Sequence, residues 1–351
     1  MKPLRLLFIG FGHVGQKVTE ILFAPKENYR HLSDRKFLLT GICTRFHGMV
    51  LNPAGIDVKR ALADMQESGV LPSTDPEYAG RDVRSILRSD LYDIVVEMSS
   101  LSIASRGEPA LQYLRDALQT SHHAVSANKG PIAFAYHDLK RLAESNDRHL
   151  LFESTVMDGA PIFNLARSAL KGCTITGVSG ILNSTTNVIL TEIEKGSTYA
   201  EAVIKAQNLG IAEADPSHDI EGWDAAAKIS ILSNVLLGGS LTPCDVTRKG
   251  IENHSEEEIR SRHDFGQCLK LIARACRQDG AVKASVKPEY LPLTDPFAAV
   301  SGTGSIIRIE TDLMCPLAIR QEQPTVSDTA YGVINDLLEI YTLESSRRSQ
   351  D

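Results

Sequence analysis

Apolar residues in the first 150 positions fall into short, nearly continuous runs separated by longer amphipathic stretches. Leu4-Arg5-Leu6-Leu7-Phe8-Ile9 is the first such run, the pattern of a strand buried on both faces of a parallel sheet. Val14, Val18, Ile21 and Leu22 then recur at helical spacing. Lys36 to Cys43, Asp93 to Met98, His122 to Ser126 and His149 to Phe152 predict further strands, with helices over Pro109 to Gln119 and Phe134 to Ser145 between them. Strand–helix alternation of this kind predicts a doubly wound α/β sheet.

The pattern changes after about residue 160. Ile175 to Leu182 reads as a strand and is followed by a dense hydroxyl and amide patch, Asn183-Ser184-Thr185-Thr186-Asn187. Helices are predicted over Val188 to Lys195 and Thr198 to Leu209, then an acidic loop from Gly210 to Gly222 carrying Glu213, Asp215, Asp219 and Glu221. The apolar runs Phe297 to Val300 and Ile306 to Ile309 predict two strands joined through Ser301-Gly302-Thr303-Gly304-Ser305. Ala330, Val333, Ile334, Leu337, Leu338 and Tyr341 have the spacing of a helix that returns to the first domain, and Ser345 to Asp351 reads as a frayed tail. The organisation predicted is a dinucleotide-binding domain over 1–160 completed by 325–351, and an α+β domain over 161–324.

At 351 residues, 42% hydrophobic and 23% charged, the composition is that of a globular protein of two domains. A net charge of −7 without basic runs argues against nucleic-acid binding. No apolar stretch approaches the roughly 20 residues that span a bilayer, and the N-terminal run is only a strand long, so neither membrane span nor signal peptide is predicted. The six cysteines are scattered without a Cys-x-x-Cys pair and read as reduced thiols, which makes the cytoplasm the default location. His122, His123 and His218 have no third metal ligand at a sensible spacing.

Gly10-Phe11-Gly12-His13-Val14-Gly15 lies between the first strand and the first helix, the context that gives a Gly-x-Gly-x-x-Gly sequence meaning. Gly10 permits the tight turn, Gly12 the approach of a pyrophosphate, and Gly15 close packing of helix on strand, while the helix start at His13 and Val14 offers free amides to the anion. The fold is therefore expected to be of Rossmann type. Ligand-lining positions follow the strand ends, which selects Ser99, Ser100, Asn128 and Lys129. The second strand ends in Thr44-Arg45 rather than an acid, and Asp34 precedes that strand. An Arg without the ribose-binding acid favours NADP, with NAD as the alternative.

Asp224 and Lys228 share one face of a helix. Alone, the pair reads as a solvated ion pair. Ala225, Ala226, Ala227, Ile229, Ile231 and Leu232 surround it, however, and imply burial, where a lysine suits proton transfer to an alkoxide. The loop acids ahead of it read equally as solvated charges or as ligands for an ammonium group.

These segments resemble homoserine dehydrogenases. Gly180 to Asn187 is similar to that family's Gly-x-x-Asn-Gly-Thr-Thr-Asn segment, and Gly210 to Pro216 with Asp219 to Asp224 and Lys228 resembles its most specific signature. Ser126-Ala127-Asn128-Lys129 matches its Ala-Asn-Lys turn, and Glu153 to Ile162 its Glu-x-x-Val loop. The resemblance implies reduction of L-aspartate 4-semialdehyde to L-homoserine on the route to threonine and methionine. It implies Lys228 as proton donor, Asp224 orienting it or the substrate, Lys129 near the reacting carbonyl or nicotinamide, and Glu213, Asp219 and Thr185 at the substrate. It also implies a monovalent cation such as sodium at Glu153, Val156, Asp158 and Ala160, a homodimer formed through the second domain, and a short form without kinase or regulatory domain.

The sequence departs from the family at Ile211, at Ser184 and over Gln321 to Ala330, where a glycine-rich segment is replaced. Those departures leave open a related oxidoreductase acting on another amino-acid substrate. A dinucleotide sensor without turnover is the alternative of another class.

Overall fold

The computed structural model describes residues 2–24, 29, 32, 37–71 and 82–348. Asp34, Lys36 and most of the connection from Pro25 to Arg35 lie outside the described residues, as do 349–351. The chain forms two compact units, Met1–Pro161 with Thr325–Asp351, and Ile162–Pro324.

The first unit comprises β1 (Leu4–Ile9), α1 (His13–Phe23), β2 (Phe37–Cys43), β3 (Met49–Leu51), α2 (Val58–Glu67), α3 (Val83–Leu87), β4 (Ile94–Glu97), α4 (Ala110–Gln119), β5 (His123–Ser126), α5 (Lys129–Ser145) and β6 (Leu150–Leu151). Its sheet runs β3-β2-β1-β4-β5-β6. All neighbours are parallel except β3, which turns back antiparallel on β2. Leu6, Phe8, Ile94 and Val96 pack in one core with Val18 of α1, as expected for strands covered on both faces.

Helix α5 begins five residues before the apolar periodicity suggests. Asn128 caps it by accepting a bond from the Gly130 amide at 2.9 Å, and Pro131 sits in the first turn, where a missing N–H costs nothing. The backbone breaks helical geometry at Ala135 (φ −147°), so the predicted helix is the second limb of a kinked one.

The second unit contains α6 (Ile162–Ala169), β7 (Ile175–Ile181), α7 (Ser184–Glu194), α8 (Tyr199–Asn208), α9 (Ser217–Ile220), α10 (Trp223–Leu236), β8 (Thr247–Arg248), α11 (Glu256–Asp264), β9 (Gln267–Gln278), β10 (Ala281–Pro292), β11 (Ser305–Thr311) and β12 (Leu317–Gln321). Its sheet order is β12-β11-β7-β9-β10-β8, antiparallel except where β8 joins β10. Helix α10 packs on β9 and β10.

Helix α7 begins at Ser184, inside the polar patch, because Asn183 accepts the Thr186 amide at 2.8 Å. Helix propensity, poor for Ser-Thr-Thr-Asn, is overridden by this cap and by burial. Phe297 to Val300 forms a turn, pinned by the buried Phe297 and Val300, rather than a strand. The following loop is pinned to α7, with the Asn187 side-chain amide donating to Gly302 O (2.9 Å) and Gly304 O (3.3 Å) and Ser184 Oγ to Thr303 O (3.1 Å).

The chain then re-enters the first unit as α12 (Val326–Arg348), which packs on α1 and supplies Ala330, Val333, Ile334, Leu337 and Ile340 to that core. The helix continues through Ser345 and Ser346 to Arg348, well into the stretch read as a frayed tail. Arg347 anchors it by bonding the Asp147 carboxylate at 2.7 Å.

Candidate active site

The residues selected for the substrate lie in the second unit, and those selected for the dinucleotide and for a cation in the first, except that Lys129, named for catalysis, also lies in the first. In the second unit the centre is Lys228. Its ammonium stands 2.8 Å from Asp224 Oδ2 and donates to the Leu182 carbonyl at 2.6 Å. The two side chains retain only 15% and 13% of their exposure, so this is a largely buried pair rather than a solvated one. The helix that carries it is apolar nearly all round because Ala225, Ala226, Ala227, Ile229 and Ile231 are each fully or almost fully buried.

Asn183 joins this pair to the acidic loop. Its amide nitrogen donates to Asp219 Oδ1 at 2.6 Å and to Asp224 Oδ2 at 3.0 Å, while its carbonyl oxygen caps α7. Burial, and then the Asp224 carboxylate, push Asp219 above the ordinary aspartate range. Thr185 Oγ1 donates to the Ile211 carbonyl at 3.0 Å, which ties the turn after α8 to α7. Glu213 is exposed on the loop, where its backbone carbonyl accepts a bond from Gln207. Residue spacing suggested Asp224 and Lys228, and the resemblance Asp219; the role of Asn183 as their common anchor, and of the Leu182 carbonyl, emerges only from the fold.

In the first unit the glycine turn lies where the strand order reverses between β1 and β4, the switch point at which open α/β sheets take ligands. Gly10 has φ +89°, and a Cβ there would stand 2.8 Å from the Met98 carbonyl. Gly15 packs against the Gly10 carbonyl, leaving 3.1 Å for a Cβ. Gly12 differs: a Cβ would meet no protein atom within 4 Å, and the residue is exposed at the N-terminus of α1 with His13 and Val14 beside it. Ser99, Ser100 and Asn128 are brought together, the Asn128 amide donating to Ser99 Oγ and the Ser100 carbonyl, each at 3.4 Å. Lys129 follows as the first residue of α5. Arg45 is exposed just beyond β2 with its guanidinium over the Phe46 ring.

Sequence reasoning passed over Glu97, the last residue of β4, which is completely buried. Its Oε1 accepts from the Ser99 amide at 2.9 Å and from the Ser99 hydroxyl, and burial pushes the carboxyl up to about 7. The available signal was an acid closing the apolar run Ile94-Val95-Val96.

The loop selected for a cation is compact. Glu153 is buried, and Met157, Asp158 and Gly159 take left-handed φ values of 52°, 46° and 79°. Asp158 Oδ1 accepts from Thr329 Oγ1 at 3.3 Å.

The fold separates His122, stacked on Tyr92, from His123, and brings single donor atoms of His123, His149 and Glu344 within 4.8 Å of one another. The bonding there is that of a packed polar cluster. His123 Nδ1 accepts the His149 amide at 3.2 Å, so its proton sits on Nε2, directed at Glu344 at 3.5 Å. Arg347 pairs with the same Glu344 at 3.3 Å.

A parallel sheet with a glycine turn at its switch point, and a separate α+β unit holding a buried lysine–aspartate pair, define a two-unit α/β enzyme of the dinucleotide-dependent class. Residues 161–338 match the family described as homoserine dehydrogenase. A relative from Pseudomonas canavaninivorans, named NAD(+)-dependent homoserine dehydrogenase, is 33% identical over 100% of this chain and 99% of its own length. The homoserine dehydrogenase of Methanocaldococcus jannaschii is 34% identical over 96% of this chain and 98% of its own. A crystal structure of a homoserine dehydrogenase from Thiobacillus denitrificans superposes with a TM-score of 0.82 at 27% identity, covering 99% of this chain and 75% of that one. The chain belongs to the homoserine dehydrogenase family, oxidoreductases that act on CH–OH groups with NAD(P) as the dinucleotide.

Proposed function

We propose that this chain reduces L-aspartate 4-semialdehyde to L-homoserine, with NADP as the preferred dinucleotide and Lys228 as the proton donor. The observation that carries the reading is the 2.8 Å Lys228–Asp224 pair, held beside Asn183 and Asp219 on otherwise apolar helix surface. Gly10, Gly12, His13, Val14 and Gly15 would hold the reduced dinucleotide, which when bound would supply a hydride for the aldehyde carbon. Lys228 gives its proton to the aldehyde oxygen, and Asp224 keeps that amine charged and aimed. Asp219 and Glu213 accept from the substrate ammonium, with Thr185 holding the loop that carries them. Ser99, Ser100, Asn128 and Lys129 line the nicotinamide end, and Lys129 orients the reacting carbonyl.

Arg45 supports NADP: it follows β2 in place of the acid that would hold a ribose 2′-hydroxyl. The Pseudomonas relative is named for NAD(+), so the preference needs its own measurement. Glu153 and Asp158, with the carbonyls of Val156 and Ala160, would hold a sodium ion that braces the loop ahead of α6. A homodimer and a cytoplasmic location complete the reading; the six cysteines are free, and among the described residues no helix is long and apolar enough to cross a membrane. The test follows reduced-nicotinamide absorbance with homoserine or aspartate semialdehyde and each cofactor. Turnover with either substrate is expected; cofactor binding without turnover would favour the sensor or another amino-acid substrate.

A further inference from the structure

The C-terminal end of the central strand β4 places a carboxyl at an unusual position. Glu97 closes β4 directly opposite Ile9 of β1 on one side and Ser126 of β5 on the other. Gly10 turns immediately beyond Ile9, close enough that a Cβ there would touch the Met98 backbone and the Ser99 amide. Glu97 is therefore one residue beneath the glycine turn, on the crevice side of the sheet. One of its oxygens is committed to Ser99, whereas Oε2 is buried and has no hydrogen-bond partner among the described residues. Oε1 braces the turn at Ser99, but that bond does not account for the unpaired Oε2, and leaving a buried polar oxygen without a partner costs stability.

Resting on the dinucleotide reading above, we propose that Glu97 sets the balance of affinity between the oxidised and reduced nicotinamide dinucleotide. The two forms differ by one unit of charge at the nicotinamide ring, which is positive when oxidised and neutral when reduced. A carboxylate at the switch point favours the oxidised ring; the neutral acid does not discriminate. Because the carboxyl is poised near about 7, its charge changes within the ordinary working range. Two unit charges within roughly 12 Å at an effective dielectric of about 20 alter affinity by about tenfold or more. By linkage, binding of the oxidised form must also drive a proton off Glu97.

The titratable groups around it are few. Tyr113 of α4 feels the charges of Glu97, of Arg45 beyond β2 and of Arg84 in α3. Burial pushes the Cys43 thiol up to about 12, so it stays neutral through this range. Ser99 and Asn128 hydrogen-bond without titrating; His13 and Lys129 begin α1 and α5 at the same sheet edge.

Equilibrium binding of NADP+ and NADPH to the full chain, about one unit either side of 7, is the test. Between the lower and higher pH the wild-type preference for NADP+ over NADPH should rise by about fivefold, most of the roughly tenfold that full ionisation gives. Glu97→Gln should flatten that dependence, with a melting curve confirming that the variant is folded. A wild-type ratio that does not move with pH overturns the proposal without recourse to any variant. A pH-dependent ratio that survives in Glu97→Gln assigns the effect to another group and overturns it too. If neither dinucleotide binds, the inference and the dinucleotide reading fall together; binding of both with a flat ratio removes the inference alone.

Discussion

Replacing Lys228 by Met removes the ammonium and keeps most of the stem. The loss is a 2.8 Å ion pair to Asp224 and a 2.6 Å bond to the Leu182 carbonyl. Breaking a fully buried pair from one side costs about 3–5 kcal/mol, and an orphaned carbonyl about 1. Both side chains keep some exposure, and Asp224 retains its 3.0 Å bond from Asn183, so a net destabilisation of about 2 kcal/mol is the better figure. For a unit of this size that lowers the melting temperature by about 4–8 °C. Turnover should fall far more, by about 10²–10⁴, because a positioned general acid contributes that much. Dinucleotide affinity should be unchanged, since the glycine turn belongs to the other unit. Steady-state rates with aspartate semialdehyde, a thermal melt and a dinucleotide titration measure the three quantities separately. A folded Lys228→Met enzyme that turns over within about tenfold of wild type would refute the proton-donor role.

Two glycine substitutions should behave oppositely. Gly10→Ala forces a side chain into φ +89° and against the Met98 backbone, and should cost at least about 2 kcal/mol in a denaturant titration. Gly12→Ala meets no protein atom within 4 Å, so it should leave the melt unchanged while weakening dinucleotide binding; unaltered affinity would count against the pyrophosphate assignment. Arg45→Ala should raise the Michaelis constant for NADP much more than for NAD, and an equal effect on both would remove Arg45 from the 2′-phosphate. Asp116 is buried, which pushes its carboxyl up, but Arg84 at 2.6 Å and Arg88 at 2.7 Å outweigh that and hold it below the usual range. With the folded value depressed, its stabilisation is present above about pH 4 and is lost as pH falls through that folded value. Asp116→Asn should therefore lower the neutral-pH melting temperature and flatten the acid side of the stability profile; an unchanged acid limb would show that other carboxylates dominate there.

Features encoded over neighbouring residues were readable from the sequence. The glycine turn needs only its own three glycines between a strand and a helix, and Asp224 and Lys228 meet because four residues make about one helical turn. The apolar flanks of that helix also announced that the pair would be buried. Caps were less legible: Asn128 and Asn183 start α5 and α7 earlier than hydrophobic periodicity suggests, since a side chain accepting an amide outweighs poor local propensity. What pattern could not supply was long-range contact. Asn183 reaches Asp219 and Asp224 across 36 and 41 residues, and His123 meets Glu344 only because α12 returns to the first unit. Glu97 acquires its meaning only from the strand order, which puts it under Gly10 and beside Ser126. Local sequence specifies periodicity and turn chemistry, whereas hydrogen-bond partners and dielectric are properties of the packed chain, settled when distant segments exclude water together.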